Sequence, residues 1–485
     1  MAIDYQHKDY KEMVGKWELI DDVCDYDDVE KYLIELNPQD LSNENQVRNE
    51  HYRERAVFYP VAGHTARGLN SLLFSKPPVL NVPPQLEYLA TNADGLGVSI
   101  YQQAQDVAYD LITKSRGALY VSYPETTEQS SLADMRALKV FATIQDIEAE
   151  QIINWRVERD GALMKLSLVV ISEDVEEIQS DGYEIKCVPQ LRELALVSKV
   201  FIVRLWRKNK KTGEWYVLSE SIPTDGAGNT WDEIPLTFVG VESNSSDIDE
   251  PNMFAMAKAN VAHYRNSADF EDSVWFSGQA QPWMSGLNST SVNLMKEMKM
   301  YVGSRSMLGV PEGQQFAFAS APPNPLVRQA MLDKIDMMIG MGARFITPTG
   351  PAKTATEADN DAKVQHSLLS MISGNLSDAY TQAIAWCCRF MRVEVGDSSF
   401  ETTQDFVSPA ATAQEISAIA ATFVQGALPM GDYFRWLQMH GIVDEDKTVE
   451  EFSSEINVAT NMPNLDQTST SQAQQARPTL TLPTK

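Results

Sequence analysis

Cysteine, histidine, long apolar runs and positive charge are all scarce in this chain, and each scarcity removes a class of function. Only Cys24, Cys187, Cys387 and Cys388 occur in 485 residues. Their spacing fits neither a disulfide framework nor a zinc motif, which predicts buried thiols kept in a reducing compartment. The six histidines are scattered, and HExxH, GxSxG and GxxxxGK[ST] are absent. His64, His263 and His366 therefore read as structural, and neither acid/base, nucleophilic nor metal chemistry is indicated. The expectation is a non-enzyme without a cofactor. No run approaches the roughly 18 apolar residues of a membrane span, and MAIDYQHKDYKEM lacks the basic-then-apolar order of a signal peptide. That predicts a chain in cytosol-like conditions with no membrane partner. Forty Lys and Arg against 67 Asp and Glu give a net charge of −27, which excludes a protein that coats nucleic acid with its whole surface.

What is present is a chain that is 43% hydrophobic, enough for a large core and two to four structural units. Residues 1–56 hold 15 acids against 7 bases and read as a solvated, mostly helical arm. Its densest cluster, Asp21–Asp28, is expected at a helix start on a wet face, because the glycine and closing glutamate of a calcium loop are missing. Residues 95–124 predict a turn at Gly95 and Gly97, a helix through Ile100, Ala104, Val107, Ala108, Leu111 and Ile112, a stop at Gly117 and the strand ALYVSY. Between 150 and 240, IINWRV, LMKLSLVVI, YEIKCV, KVFIVRLWR, EWYVLSE and IPLTFVG alternate as strands, with a hairpin at KNKKTGEWY. Together these elements predict an α+β unit.

After the linker 243–252 the pattern becomes helical. Ala257, Val261, Tyr264, Ala268 and Trp275 hold one apolar face. Residues 278–325 are irregular, with short strands expected at MYVGS and QQFAFA. Val327, Met331, Ile335, Met338, Gly342 and Phe345 mark a second helix. A third runs from a capping box at Thr354–Glu357 through Val364, Leu368, Ile372, Leu376, Ala379, Ala383, Trp386, Phe390 and Val393, about 55 Å at 1.5 Å per residue. Short helices follow, and 460–485, rich in Thr, Ser, Gln and Pro, reads as a tail.

Charge is unevenly placed. Residues 278–355 contain Glu297, Glu312, Asp333 and Asp336 against Lys296, Lys299, Arg305, Arg328, Lys334, Arg344 and Lys353, a net +3, so the remainder carries −30. Such a sparse stripe tolerates passing phosphate better than it captures it, because each added lysine contact deepens a salt-sensitive well.

The stretches RERAVFYPVAGHTARGLNSLLFSKPPVL (53–80), DGLGVSIYQQAQDVAYDLITKSRGALYVSYP (94–124), MFAMAKANVAHYRNSADFEDSVWFSGQAQPWMSG (253–286) and GARFITPTGPAKTATEAD (342–359) resemble, in that order, tailed-bacteriophage portal proteins, the head-to-tail connectors. The resemblance implies a portal-type α+β fold: wing 1–250, stem helix 251–277, clip 278–325, stem helix 326–345, tunnel loop 346–355, long wing helix 356–399, helical crown 400–459 and tail 460–485. It implies twelve copies at a capsid vertex of a virion assembled in the host cytoplasm, and a channel for double-stranded DNA packaging and ejection. Its implied partners are the terminase large subunit, the head-to-tail adaptor, and the major capsid and scaffolding proteins. Thr347, Pro348, Thr349, Gly350, Pro351 and Lys353 would form the DNA-facing loop, and Lys296, Lys299, Arg305, Arg328, Lys334 and Arg344 would supply channel or clip cations. Gly350 and Pro351 suit a loop that changes shape between two helices, with Gly340 and Gly342 weakening the turns before it. Two other readings stay open: another ring-forming neck or tail protein, or a soluble α+β enzyme.

Overall fold

The computed structural model describes residues 3–124, 140–178, 182–278, 281–285, 289, 293, 315–319, 325–342, 355–404, 413–425, 427–439, 442–443 and 447–453. In chain order the helices are α1 (Lys8–Asp25), α2 (Asn43–Arg55), α3 (Val61–Leu73), α4 (Ile100–Lys114), α5 (Phe254–Gly278), α6 (Pro325–Gly340), α7 (Ala355–Phe390), α8 (Ala413–Val424) and α9 (Met430–Met439). The strands are β1 (Val79–Asn81), β2 (Arg116–Ser122), β3 (Thr143–Glu148), β4 (Ile152–Asp160), β5 (Leu163–Ile178), β6 (Ile185–Val197), β7 (Val200–Lys208), β8 (Trp215–Ser221), β9 (Leu236–Gly240), β10 (Gln281–Ser285), β11 (Gln315–Ala319) and β12 (Ser399–Glu401). The fold is a mixture of helix and sheet. The chain divides into two compact units, 1–404 and 405–485.

In the first unit, β2 is the centre of an antiparallel sheet ordered β3–β2–β9, and it is buried along almost its whole length. Helices α4 and α7 pack against it. Helix α4 starts as its sequence predicts: Gly95 and Gly97 take φ of +89° and +105°, the Asp94 carboxylate accepts from three following amides, and Ser99 and Gln102 form a capping box. Its end differs from expectation. Ser115, not Gly117, adopts the left-handed conformation that closes the helix. Gly117 lies inside β2, between Glu148 and Val239.

Strands β4 to β8 form a five-stranded antiparallel meander. Ser198 and Lys199 both take positive φ, the geometry of a two-residue hairpin turn, between β6 and β7. The Asn209 side chain and Gly213 close the β7–β8 turn. The strand expected at YEIKCV continues through Pro189 to Val197. Proline is accommodated because β7 covers β6 only from Gln190 onward, so the missing N–H of Pro189 faces no neighbour strand. Cys187, on this overhanging ribbon, is exposed, against the expectation that all four thiols are buried; Cys24, Cys387 and Cys388 are buried.

The acidic amino-terminal segment is not a solvated arm. Helix α1 buries Trp17, Ile20 and Val23 completely, and the Trp17 indole donates to the Lys114 carbonyl at 3.1 Å. Asp21, Asp22 and Asp25 fall in its last turn rather than at a helix start. Acids there oppose the helix dipole, and cations offset them: Lys31 meets Asp22 at 2.7 Å, Arg67 meets Asp25 at 3.5 Å and Lys114 meets Asp21 at 3.2 Å.

The short strand β12 pairs with β1, so residues 399–404 belong to the first unit. In the second unit, Phe423 stacks on Tyr433 between α8 and α9, buried Phe434 lies beside Phe452, and Leu437 is buried.

Candidate assembly and channel elements

Sequence places Pro251 just ahead of α5, and the loop before it is held by groups at the end of α4. The Ser115 hydroxyl accepts from the Asn252 amide at 3.0 Å, and the Arg116 guanidinium donates to the Ser246 and Asp247 carbonyls at 3.3 and 3.1 Å. Arg116 itself sits in the corner formed by the edge-to-face rings of Trp155 (4.6 Å) and Phe238 (4.3 Å). Burial lowers its pKa to about 10 against the opposing pull of Asp249, Asp247 and Asp9, which leaves it charged at neutral pH. A buried cation flanked by aromatic faces and carbonyls fixes the direction in which α5 leaves the body.

The first turns of α5 are anchored by polar groups that its apolar periodicity does not announce. Asn260 is fully buried; its oxygen accepts from the Ala62 amide at 3.1 Å and its amide donates to the Tyr59 carbonyl at 2.9 Å. The Ser267 hydroxyl accepts from the Val57 amide at 3.0 Å. From α2, Tyr52 donates to Asp269 at 2.7 Å and Arg55 to Asp272 at 3.1 Å. His263 is buried, and neither of its ring nitrogens has a hydrogen-bond partner among the described residues. Burial first, and the charge of Lys334 second, hold its pKa below the ordinary value, so it is neutral at physiological pH.

Beyond this anchored half the helix changes character. Val274, Trp275 and Phe276 are 46%, 47% and 55% exposed. Helix α6 packs along α5, yet Met338 is its only buried residue, and Leu332, Met337 and Met341 stand 44–55% exposed. Strands β10 and β11 pair antiparallel from Gln281–Ala319 to Ser285–Gln315, between the two helices in sequence. Helix α6 ends at Gly340, and Gly342 takes φ of +119°, so the two glycines terminate the helix rather than soften its interior.

Helix α7 begins at Ala355 and is welded to the body over its carboxy-terminal part. Leu369, Ile372, Leu376, Tyr380, Ala383, Ile384 and Cys387 are fully buried. The Asn375 amide donates to the Gly240 and Val241 carbonyls at 2.9 and 2.8 Å. Ser373 and Thr402 share a buried 2.7 Å bond. Arg389 lies over the Trp231 ring at 4.0 Å and pairs with Glu233 at 3.1 Å. The helix stops at Phe390, short of the expected Val393, where Arg392 turns to positive φ.

The family described as "Domain of unknown function (DUF4055)" matches residues 252–391, the stretch from the start of α5 to the end of α7. No curated protein matches the chain. Among solved structures, the chain is similar to one from the virion of a native gene transfer agent particle, at 12% identity and a TM-score of 0.39, covering 86% of this chain and 93% of that one. It is also similar to one from the neck of an empty gene transfer agent particle computed with C6 symmetry, at 13% identity and a TM-score of 0.41, covering 76% and 87%. With TM-scores under 0.5, neither likeness bears on function.

Of the residues that sequence singled out, Arg328 and Lys334 are placed. Both lie on α6, but six positions apart they point about 120° from each other around the helix. Arg328 is exposed, whereas Lys334 is half-buried beside His263, so the two do not form one stripe. Lys296, Lys299, Arg305, Arg344 and the loop Thr347, Pro348, Thr349, Gly350, Pro351 and Lys353 lie outside the described residues, as do Thr354 of the expected capping box and the MYVGS strand. Strand β10, with the sequence QPWMS, was not legible because proline and tryptophan there give no alternation. Among the described residues no group of His, Cys, Asp or Glu has the geometry of a metal site.

Proposed function

We propose that the chain is a portal-type subunit. Copies close into a ring of twelve around a channel for double-stranded DNA, in which α5 and α6 form the stem, 278–325 the clip and 346–355 the loop at the narrowest rim. The observation that carries this reading is the pair α5 and α6: α5, anchored by buried Asn260 and Ser267, continues into a turn where Val274, Trp275 and Phe276 stand open to solvent, and Leu332 and Met337 are exposed along α6. A monomer has no reason to hold so much apolar surface on two adjacent helices, whereas neighbouring copies would cover it. The order of the four portal-like stretches and the segregation of charge support the same assignment. In it, the −30 outside residues 278–355 keeps the exterior soluble and free of DNA, and isolated cations face the duplex without trapping it. The clip would meet the terminase large subunit during packaging and the head-to-tail adaptor afterwards, at the capsid vertex of a virion. The test is the native mass of the purified protein. Twelve times 54.2 kDa, about 650 kDa, is expected; a stable monomer at micromolar concentration contradicts the proposal.

A further inference from the structure

The ring reading makes no use of the most heavily charged buried position in the body, the Lys114 ammonium. Its side chain is only 5% exposed, and four carboxylates from three directions surround it: Glu150 at 3.0 Å, Asp21 at 3.2 Å, and Asp110 and Glu148 at 3.6 Å each. Asp21 belongs to α1, Asp110 and Lys114 to α4, and Glu148 and Glu150 to the end of β3 and the turn leading to β4. Two further bonds tie α1 to the same place: Trp17 donates to the Lys114 carbonyl at 3.1 Å, and Tyr10 to the Glu150 carbonyl at 3.0 Å. The remaining acids of the last turn of α1, Asp22 and Asp25, are taken by Lys31 and Arg67, and among the described residues no second cation pairs with the cluster.

One ammonium among four carboxylates leaves a net charge of −3 if all are ionised, in a partly desolvated pocket where like charges repel strongly. The Asp21 and Glu150 carboxyls converge on the same ammonium, at 3.2 and 3.0 Å, and so stand side by side. Two carboxylates bond only when one carries a proton, and the Glu150 Oε1 atom is buried without a hydrogen-bond partner among the described residues.

We propose that this cluster is a proton-linked latch: a proton shared among Asp21, Glu150 and Asp110 holds α1 on α4 and the β3–β4 turn, and its release to solvent loosens α1. The proton closes an O–H···O bond between elements that are otherwise distant in sequence. Its loss leaves adjacent anions that only Lys114 neutralises. The relevant range follows from the acids themselves. Burial, opposed by Lys114 and reinforced by Glu150, raises Asp21 to about 7; burial, opposed by Lys114 and reinforced by Glu148, Glu150 and Asp21, raises Asp110 to about 8. Both exceed the unfolded value near 3.9, so the folded state binds the extra protons, and the attachment of α1 is full at low pH and lost as pH rises through about 7 to 8.

Hydrogen exchange of the intact protein between pH 6 and pH 9, corrected for the intrinsic rate, tests this latch independently of the ring. Protection across residues 8–25 should fall by at least about tenfold per titrating proton displaced by one unit, while the buried turns of α7 around 376–388 keep theirs. In Asp21→Asn, whose amide supplies a permanent donor, α1 should lose less protection between pH 6 and pH 9 than in the wild type, Asp110 alone still titrating. Constant wild-type protection of α1, a parallel loss in α7, or an unchanged pH dependence in Asp21→Asn overturns the proposal. Should Asp21→Asn fail to fold, the infrared carbonyl band of a protonated carboxylic acid in the wild type decides. Its presence at pH 6 and disappearance by pH 9 supports the latch, and its absence at pH 6 refutes it.

Discussion

At the scale of single residues, the packing of α1 against α3 turns on one missing side chain. A Cβ added at Gly63 would lie 2.1 Å from the Cys24 carbonyl oxygen, a backbone atom that cannot step aside. Gly63→Ala should therefore destabilise the protein by about 1–3 kcal/mol or more in chemical unfolding. Gly15, on the exposed side of α1, has nothing within 4 Å of its built Cβ, and Gly15→Ala should be neutral or stabilise by up to about 1 kcal/mol. Equal effects of the two changes would mean that α3 does not approach α1 so closely. His263 supplies a test of opposite pH sense to that of the Lys114 cluster. Its folded pKa is depressed by burial and by Lys334, so the unfolded chain takes up a proton near pH 6.5 before the folded chain does, and stability is lost as pH falls from there. His263→Phe should remove that part of the acid sensitivity. Unfolding midpoints compared between pH 7 and pH 5 read it as a narrowing gap between wild type and variant, and parallel pH profiles would contradict it.

At the scale of elements, α5 and α6 carry the assembly argument. Phe276→Asp combined with Met337→Asp places charge on surface that copies are proposed to bury. The variant should fold with an unchanged circular dichroism spectrum but a native mass well below that of the wild type; an unchanged mass would remove α5 and α6 from the interface. These helices and α7 were largely legible in the sequence, because Val261, Tyr264 and Ala268, or Leu376, Ala379 and Ala383, step at the helical period, and β4 to β9 were legible from runs such as FIVRLW. What hid was of two kinds. Trp17 and Ile20 make a buried face in a segment whose acid count suggested solvent, since a charge tally is blind to which side of a helix the acids occupy. The Lys114 cluster, Arg116 and Asn260 depend on residues brought together from over 30 to about 200 positions apart, for which no local pattern exists. Asn260 within an apolar face and the Asp110–Lys114 spacing of four were the only hints. Of the candidate channel residues, sequence singled out Arg328 and Lys334 from charge bias alone, and that bias did not reveal that the two diverge around α6.

At the scale of the whole molecule, the account rests on charge placement repeated by symmetry. In the proposed ring one Lys353 per copy would make a circle of cations, so Lys353→Glu should leave assembly intact while impairing packaging or retention of DNA, measured as genome content per particle. Unimpaired packaging would argue that position 353 lies away from the duplex. The most direct measurement is an end-on electron-microscopic view of the purified assembly at a resolution that traces the chain. A closed ring with a central bore wide enough for a DNA duplex, with residue 353 of every copy on its narrowest rim, is the predicted result. A particle without a hole, or position 353 buried far from the axis, would contradict it.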